Sequence, residues 1–326
     1  MFKSKLKLYL LLLSCTAFLI LPFSSIAQTY PNKPIRLVIT FPPGGIADTL
    51  ARVVGQGMSK QLGQAVVIDN KPGAGGNIAA STVAKSAPDG YTLLLGLIST
   101  HAINASLYKE LPYDPIKDFQ PIGRIAQTPL ILVVHPSLAA KNIAEFISLA
   151  KANPGKINYG SSGIGSASHL AMAAFASQAG IDVVHVPYKG TGALQTDLLD
   201  GRIQAYFDAQ VSGQANITAG KTKLLGVASS KRLPAFPQTA AITETLSGYE
   251  FSTWYGLFAP AGLAPERLNQ LSLTLVNTLN DQETLAFFSK QGLEATPSSP
   301  KEFAEFIRNE LQRMGKIVRD VGATSE

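Results

Sequence analysis

Beyond about residue 30 the chain alternates short apolar runs with longer stretches whose apolar residues recur every three or four positions. Ile35 to Phe41 is a β-rich run that stops at Pro42-Pro43-Gly44-Gly45. From Ile46 to about Gln61, the residues Leu50, Val53, Val54 and Met58 fall on one stripe, which predicts an amphipathic helix. Ala65 to Asp69 reads as the next strand, Pro72-Gly73-Ala74-Gly75-Gly76 as a loop, and Asn77 to Lys85 as a helix. A third strand, Tyr91 to Leu97, follows the turn Pro88-Asp89-Gly90. Apolar strands alternating with helices predict a parallel sheet covered on both faces.

A proline-rich connection, Leu111 to Phe119, leads to a second series. Its expected strands are 129–134, 156–159, 182–186, 202–207, 224–228 and 251–260; its helices are 143–152, 166–179, 192–199 and 211–218. Three amphipathic helices, near 264–279, 282–290 and 300–317, form a tail with no clear strand, so the tail is expected to pack on the first series. The chain would then cross between lobes twice, near 128–132 and 252–258. The expected fold class is α/β, a two-lobed clamshell in which each lobe is a mostly parallel sheet flanked by helices. Two hinge crossings join the lobes, and a ligand is enclosed at the strand carboxyl ends. The expected bounds are 28–128 with 257–326 for domain 1 and 129–256 for domain 2.

The first 27 residues read as an address. A basic start precedes an apolar run from Leu8 to about Phe23, and Ser25 and Ala27 stand at −3 and −1 of a cut before Gln28. That is the pattern of a cleavable signal peptide. Cys15, the only cysteine, lies inside the apolar run, which continues past it, so lipoprotein anchoring is not expected. The exported chain would carry no disulfide and no thiolate metal site. The formal charge is +6, but removing this segment leaves 25 basic against 22 acidic residues, and no basic stripe remains. A nucleic-acid partner is therefore not expected.

Catalytic and cofactor motifs fail on spacing. No Gly-Lys pair has the glycine that a P-loop needs, and Gly73-Ala74-Gly75-Gly76-Asn77-Ile78 ends in Ile where a dinucleotide fingerprint wants Gly or Ala. His101, His135, His169 and His185 lack metal-ligand spacing, so neither cofactor nor metal is expected. The run from Tyr159 to Ser166 invites a serine-hydrolase reading with Ser162 or Ser166, but Ile164 breaks the G-x-S-x-G elbow. What remains is a binding pattern. The first strand ends in Phe41-Pro42-Pro43-Gly44-Gly45-Ile46-Ala47-Asp48, and the second series repeats strand, Gly/Ser loop and helix at Gly160 to Ser166. Bare backbone amides at two helix starts would converge on one small anion. The bland alternative is a pair of ordinary tight turns, with Asp48 capping its helix or pairing with Arg52.

These stretches also carry a resemblance. Tyr30 to Arg36 and FPPGGIADTLAR (41–52) are followed by VVIDNKPGAGGNIAA (66–80), APDGYTLLLG (87–96), HAINASLY (101–108) and LPYDPIKDFQPIG (111–123). INYGSSGIGSASHL (157–170), VPYKGTGALQTDLLDGRIQAYFD (186–208) and WYGLFAPAG (254–262) complete the set. In this order they resemble Bug-type solute receptors, the extracytoplasmic binding proteins of tripartite tricarboxylate transporters. The resemblance implies a periplasmic binding protein of the second structural type, non-catalytic and periplasmic. It implies a receptor that hands a small carboxylate to a membrane permease; a monomer is expected, and a ligand-presenting partner of a sensor without a transport role is the alternative. It assigns the ligand carboxylate to Pro43, Gly44, Gly45 and Asp48 and to Ser162, Gly165 and Ser166. It adds Ser99, Thr100 and Asn104 as polar contacts, and Asp208 as the group that meets an ammonium in some members; the bland alternative for Thr100, Asn104 and Asp208 is helix capping. His101 is expected to be structural.

Overall fold

The computed structural model describes residues 30–324, so the expected signal peptide lies outside the described residues. By internal contacts the chain divides at Asn32, and the unit from Lys33 carries every secondary-structure element among the described residues. The fold is mixed α/β. Strands β1 (Ile35–Ile39), β2 (Val66–Asn70) and β3 (Thr92–Leu97) pair in parallel in the order β2-β1-β3. Helix α1 (Ile46–Leu62) joins β1 to β2, and α2 (Asn77–Ala84) joins β2 to β3. The stripe read from α1 is the buried one, with Leu50, Val54 and Met58 in the core. Gly63, at a φ of 66°, ends the helix in the left-handed region, its amide returning to the Ser59 carbonyl.

After β3 comes a wide helical turn at Ser99–Ile103 and the single turn α3 (Asn104–Leu107). Then β4 (Phe119–Val134) begins where the sequence suggested only a connection. Pro121 and Pro129 hid its first ten residues, because proline donates nothing to a ladder and argues against a central strand. The ladder tolerates Pro121 through a register shift between Pro121 and Gly123 against β9 (Ser252–Pro260).

The second series follows in chain order as α4 (Ile143–Ala152), β5 (Asn158–Ser161), α5 (Ala167–Ala179), β6 (Val184–Pro187), α6 (Thr191–Leu199), β7 (Ala205–Ala209), α7 (Gln210–Thr218) and β8 (Lys223–Val227). β5 is parallel to β6 and to β7. The parallel groups meet through antiparallel neighbours. β9 pairs with β3 and with the first part of β4, while Leu130–Val134 of β4 pair with β7 and β8. The resulting path is β2-β1-β3-β9-β4-β7-β5-β6, so β4 is the strand common to both series.

The tail holds α8 (Pro265–Leu279), α9 (Gln282–Lys290) and α10 (Pro300–Asp320). Between the last two lies β10 (Glu294–Ala295), which pairs with β4, a strand too short to show in the sequence. α10 starts with a capping box: Ser299 accepts from the Glu302 amide and Glu302 accepts from the Ser299 amide, with Pro300 at the first position. Its buried face carries Phe303, Ile307, Met314 and Val318, each contributing roughly 1.5–3 kcal/mol by burial. On the same face Glu310 accepts from the indole of the fully buried Trp254 at 3.0 Å, and Arg313 holds the same carboxylate. No helix among the described residues is long and apolar enough to cross a membrane.

Candidate functional site

A cavity of about 570 Å³ opens at the carboxyl ends of β1, β3 and β5. The segments that meet there are Thr40–Ala47, Pro72–Gly76, Leu97–Ser99, Asn104–Tyr108 and Ser162–Ala167, with Thr253 and Tyr255 from β9. Both Gly-containing loops singled out in the sequence therefore face one hollow. Of the expected site residues, Gly45, Ser99, Asn104, Ser162, Gly165 and Ser166 line it; Pro43, Gly44, Asp48, Thr100 and Asp208 do not.

The first loop exposes donors because it has no side chain to cap them. Gly45 is the N-cap of α1 and supplies no side-chain hydrogen bond, so the amides of the first turn lack both a cap and an intrahelical acceptor. Asp48 sits in that turn but is turned away from the hollow. Its carboxylate accepts from the Gly44 amide at 3.0 Å, from Asn70 Nδ2 at 3.0 Å and from two nitrogens of Arg52 at 3.0 Å. The Arg52 and Asn70 hydrogen bonds lower its pKa to about 2. The pair neutralises a carboxylate that would otherwise repel an anion at the helix start. α2 also lacks a capping side chain at its N-cap Gly76, at a φ of 95°, but its first amide, that of Asn77, already donates to the Ala74 carbonyl.

A polar lattice fixes the wall beneath. Asn104 Nδ2 donates to the Gly75 carbonyl at 3.1 Å and to Asn77 Oδ1 at 2.6 Å. The Tyr113 hydroxyl lies 3.0 Å from Asn77 Oδ1 and 2.9 Å from the Thr100 carbonyl. Thr100 Oγ1 bonds the backbone of Leu97 and lies 2.9 Å from His101 Nδ1. His101 is fully buried and stacks on Phe258 at 3.7 Å; burial lowers its pKa to about 3, so it is a neutral packing group.

The second loop differs from the bare cradle that its glycines suggested. The amides of Ser162, Gly163, Gly165 and Ser166 donate to Ser168 Oγ, Ser161 Oγ, His169 Nδ1 and the Gly163 carbonyl. Ser166 caps α5 by accepting from the His169 amide. What this loop offers the hollow is therefore chiefly the Ser162 and Ser166 hydroxyls and the half-exposed Ile164. Two imidazoles hold it from behind. His169 and His185 stack at 4.0 Å, and His185 Nε2 lies 2.6 Å from Ser161 Oγ. Burial and the neighbouring ring lower the His169 pKa to about 4, and burial lowers that of His185.

This arrangement bears on the hydrolase reading. The serine with an imidazole partner is Ser161, which is fully buried, whereas Ser162 and Ser166 bond Ser168. A nucleophile with its base and an open approach is therefore not assembled in this loop.

Asp208 lies on β7, buried, and accepts from Gln195, the Ala209 amide and Ser212; burial raises its pKa. Sequence reasoning missed Thr40, the Pro72–Gly76 loop, Tyr108, Thr253 and Tyr255 as cavity wall. The glycines were a usable signal for the loop, since a Cβ on Gly75 would stand 2.8 Å from the Tyr108 hydroxyl. Thr253 and Tyr255 share one face of β9, the i, i+2 relation of a strand. No group of acidic, His or Cys side chains among the described residues could hold a metal.

Residues 50–323 match the family described as tripartite tricarboxylate transporter family receptor. Protein BugT of Bordetella pertussis is 35% identical over 301 residues, covering 91% of this chain and 92% of BugT. Among solved structures, R. palustris Rpa4515 with adipate is 34% identical with a TM-score of 0.81, over 91% of this chain and 100% of that one. The periplasmic binding protein BugD is 31% identical with a TM-score of 0.78, over 91% and 100%.

Proposed function

The chain belongs to the tripartite tricarboxylate transporter receptor family, and from that premise we propose that it captures a small carboxylate-bearing solute in the periplasm and delivers it to a membrane permease. The family is one of substrate-binding receptors, not enzymes, and the fold is that of periplasmic binding proteins. The observation that carries the proposal is the shared cavity, with the uncapped start of α1 on one side and the 162–166 loop on the other.

A carboxylate leaving water needs replacement donors, and its burial without them is prohibitive. The first-turn amides of α1 supply donors aligned with the positive end of the helix dipole. Ser99, Ser162 and Ser166 add hydroxyls, and Gly165 lets the second loop approach closely. Pro43, Gly44, Asp48 and Thr100 shape the cradle without touching the solute. Residues 33–128 with 257–326 form one lobe and 129–256 the other. β4 and β9 act as hinges, and closure is favoured by contacts that only the closed pair of loops makes. The receptor works as a monomer exported by its N-terminal signal.

The test is calorimetric titration of the purified exported chain at pH 7 with acetate, malate, adipate, benzoate and citrate. The expected result is saturable binding of at least one acid in the micromolar range or tighter. Absence of binding by all of them, with the protein shown to be folded by circular dichroism, contradicts the proposal.

A further inference from the structure

Among the described residues, no Lys, Arg, His, Asp or Glu lines the hollow. Much of the wall is apolar, with Phe41, Ile46, Ile98, Leu107 and Ile164 joined by the Tyr255 ring. Among the described residues, Phe41 and Ile164 are also large apolar residues left exposed, at 44% and 54%, and they stand on the two facing loops. Exposed apolar groups at the mouth of a site favour a ligand whose body covers them.

We propose that this receptor takes an acid with a single carboxylate and an apolar body, and discriminates against polyacids and polyhydroxy acids. The inference rests on the carboxylate-receptor reading above and narrows it. The charge balance decides the number of acid groups. A helix start carries roughly half an elementary charge. Thr40 follows β1 just ahead of the uncapped start of α1, and a Cβ on Gly76, the N-cap of α2, would stand 3.2 Å from its side chain. Because the first amide of α2 already donates to the Ala74 carbonyl, the two helix starts together offset no more than about one carboxylate. The start of α5 adds little, because Ser166 caps it and its loop amides are already paired. A second or third carboxylate would meet neither a cation nor a free helix start. Thr40 supports the same location for the acid end. It is 3% exposed, it belongs to the cavity wall, and its hydroxyl has no hydrogen-bond partner in the protein. The body then extends toward Ile98, Leu107, Ile164 and Tyr255.

The experiment holds the carbon chain constant. Hexanoate has one acid group on six carbons, adipate has two, and gluconate has one acid group on a hydroxylated chain. The three are titrated calorimetrically into the ligand-stripped exported chain at pH 7, with citrate as a further arm. The expected order is hexanoate tightest, with adipate, gluconate and citrate each at least about tenfold weaker, the size of a 1.4 kcal/mol difference. Ile164→Ser is expected to weaken hexanoate about fivefold more than it weakens acetate. Tighter binding of adipate, gluconate or citrate than hexanoate overturns this inference while leaving the carboxylate reading intact. Binding of no acid overturns both. Equal loss of hexanoate and acetate in Ile164→Ser overturns the placement of the body.

Discussion

At the scale of single residues, the two glycines Gly165 and Gly192 make opposite predictions. Gly165 has a φ of 73°, and a Cβ there would run into the Leu107 side chain across the cavity. Gly165→Ala is therefore expected to cost about 1–3 kcal/mol in stability and to weaken acid binding at least tenfold, read by denaturant titration and calorimetry. Gly192 sits in α6 with ordinary dihedral angles and open space around it. Gly192→Ala is expected to stabilise the protein by about 0.5–1 kcal/mol through the unfolded chain alone. Gly165 and Gly192 look alike in the sequence, and only the backbone angle and the neighbours each meets separate a steric requirement from an incidental glycine.

The histidines give a pH prediction at the same scale. His169 is neutral in the fold, with its pKa lowered to about 4 by burial and by the adjacent His185 ring. The unfolded chain takes up that proton near 6.5. Between those values the unfolded state binds more protons, so this residue makes stability fall as pH drops from about 6.5 toward 4. Protonation would also remove the acceptor that Gly165 uses. Melting temperature is expected to fall by roughly 5 °C or more over that window. The fall should be smaller in His169→Gln, and an identical fall in the variant would show that the ring is not responsible. Asp48 acts in a lower window. Its pKa of about 2 means that its contribution is complete above the unfolded carboxylate range and is lost as pH falls toward 2.

At the scale of elements, helix starts were the most legible feature and their accounting the least. Glycine before Ile46 and serine before Ala167 both marked helix entries in the sequence. Only the structure shows that α1 leaves its first amides uncapped while α5 is capped and its loop internally paired. The difference follows from Ser161, Ser168 and His169, side chains that return to their own loop. Ser166→Ala is expected to lose about 1 kcal/mol of stability, the usual value of a serine cap, as measured by urea unfolding. The mirror substitution Gly45→Asp would place a capping carboxylate among the free amides of α1. It is expected to hold or raise stability while abolishing acid binding, because the protein's own anion occupies the cradle. The start of β4 was illegible for a different reason. Pro121 and Pro129 are ordinarily signs of a break, and the register shift that accommodates Pro121 depends on β9, more than a hundred residues away in the chain.

At the scale of the whole molecule, β4 gives the fold its functional character. One strand pairs with β9 and β10 over its first part and with β7 and β8 over its last. The alternation of strands and helices made two α/β series legible, but the antiparallel centre that joins them is a property of long-range pairing. Likewise the hollow draws on segments from Thr40 to Tyr255, and no local pattern announces that Thr253 and Tyr255 face the loops after β1 and β5. If the two series move as lobes about β4, ligand should shift the population toward a tighter state.

In the proposed receptor an acid group is held by the start of α1 and enclosed by the 162–166 loop. The decisive measurement is a crystal structure of the exported chain with a bound acid. Carboxylate oxygens are expected within about 3 Å of the amides of the first turn of α1, with a hydroxyl of Ser162 or Ser166 closing on the same molecule. An acid group pointing to solvent, or a ligand seated away from residues 45–47, would contradict it.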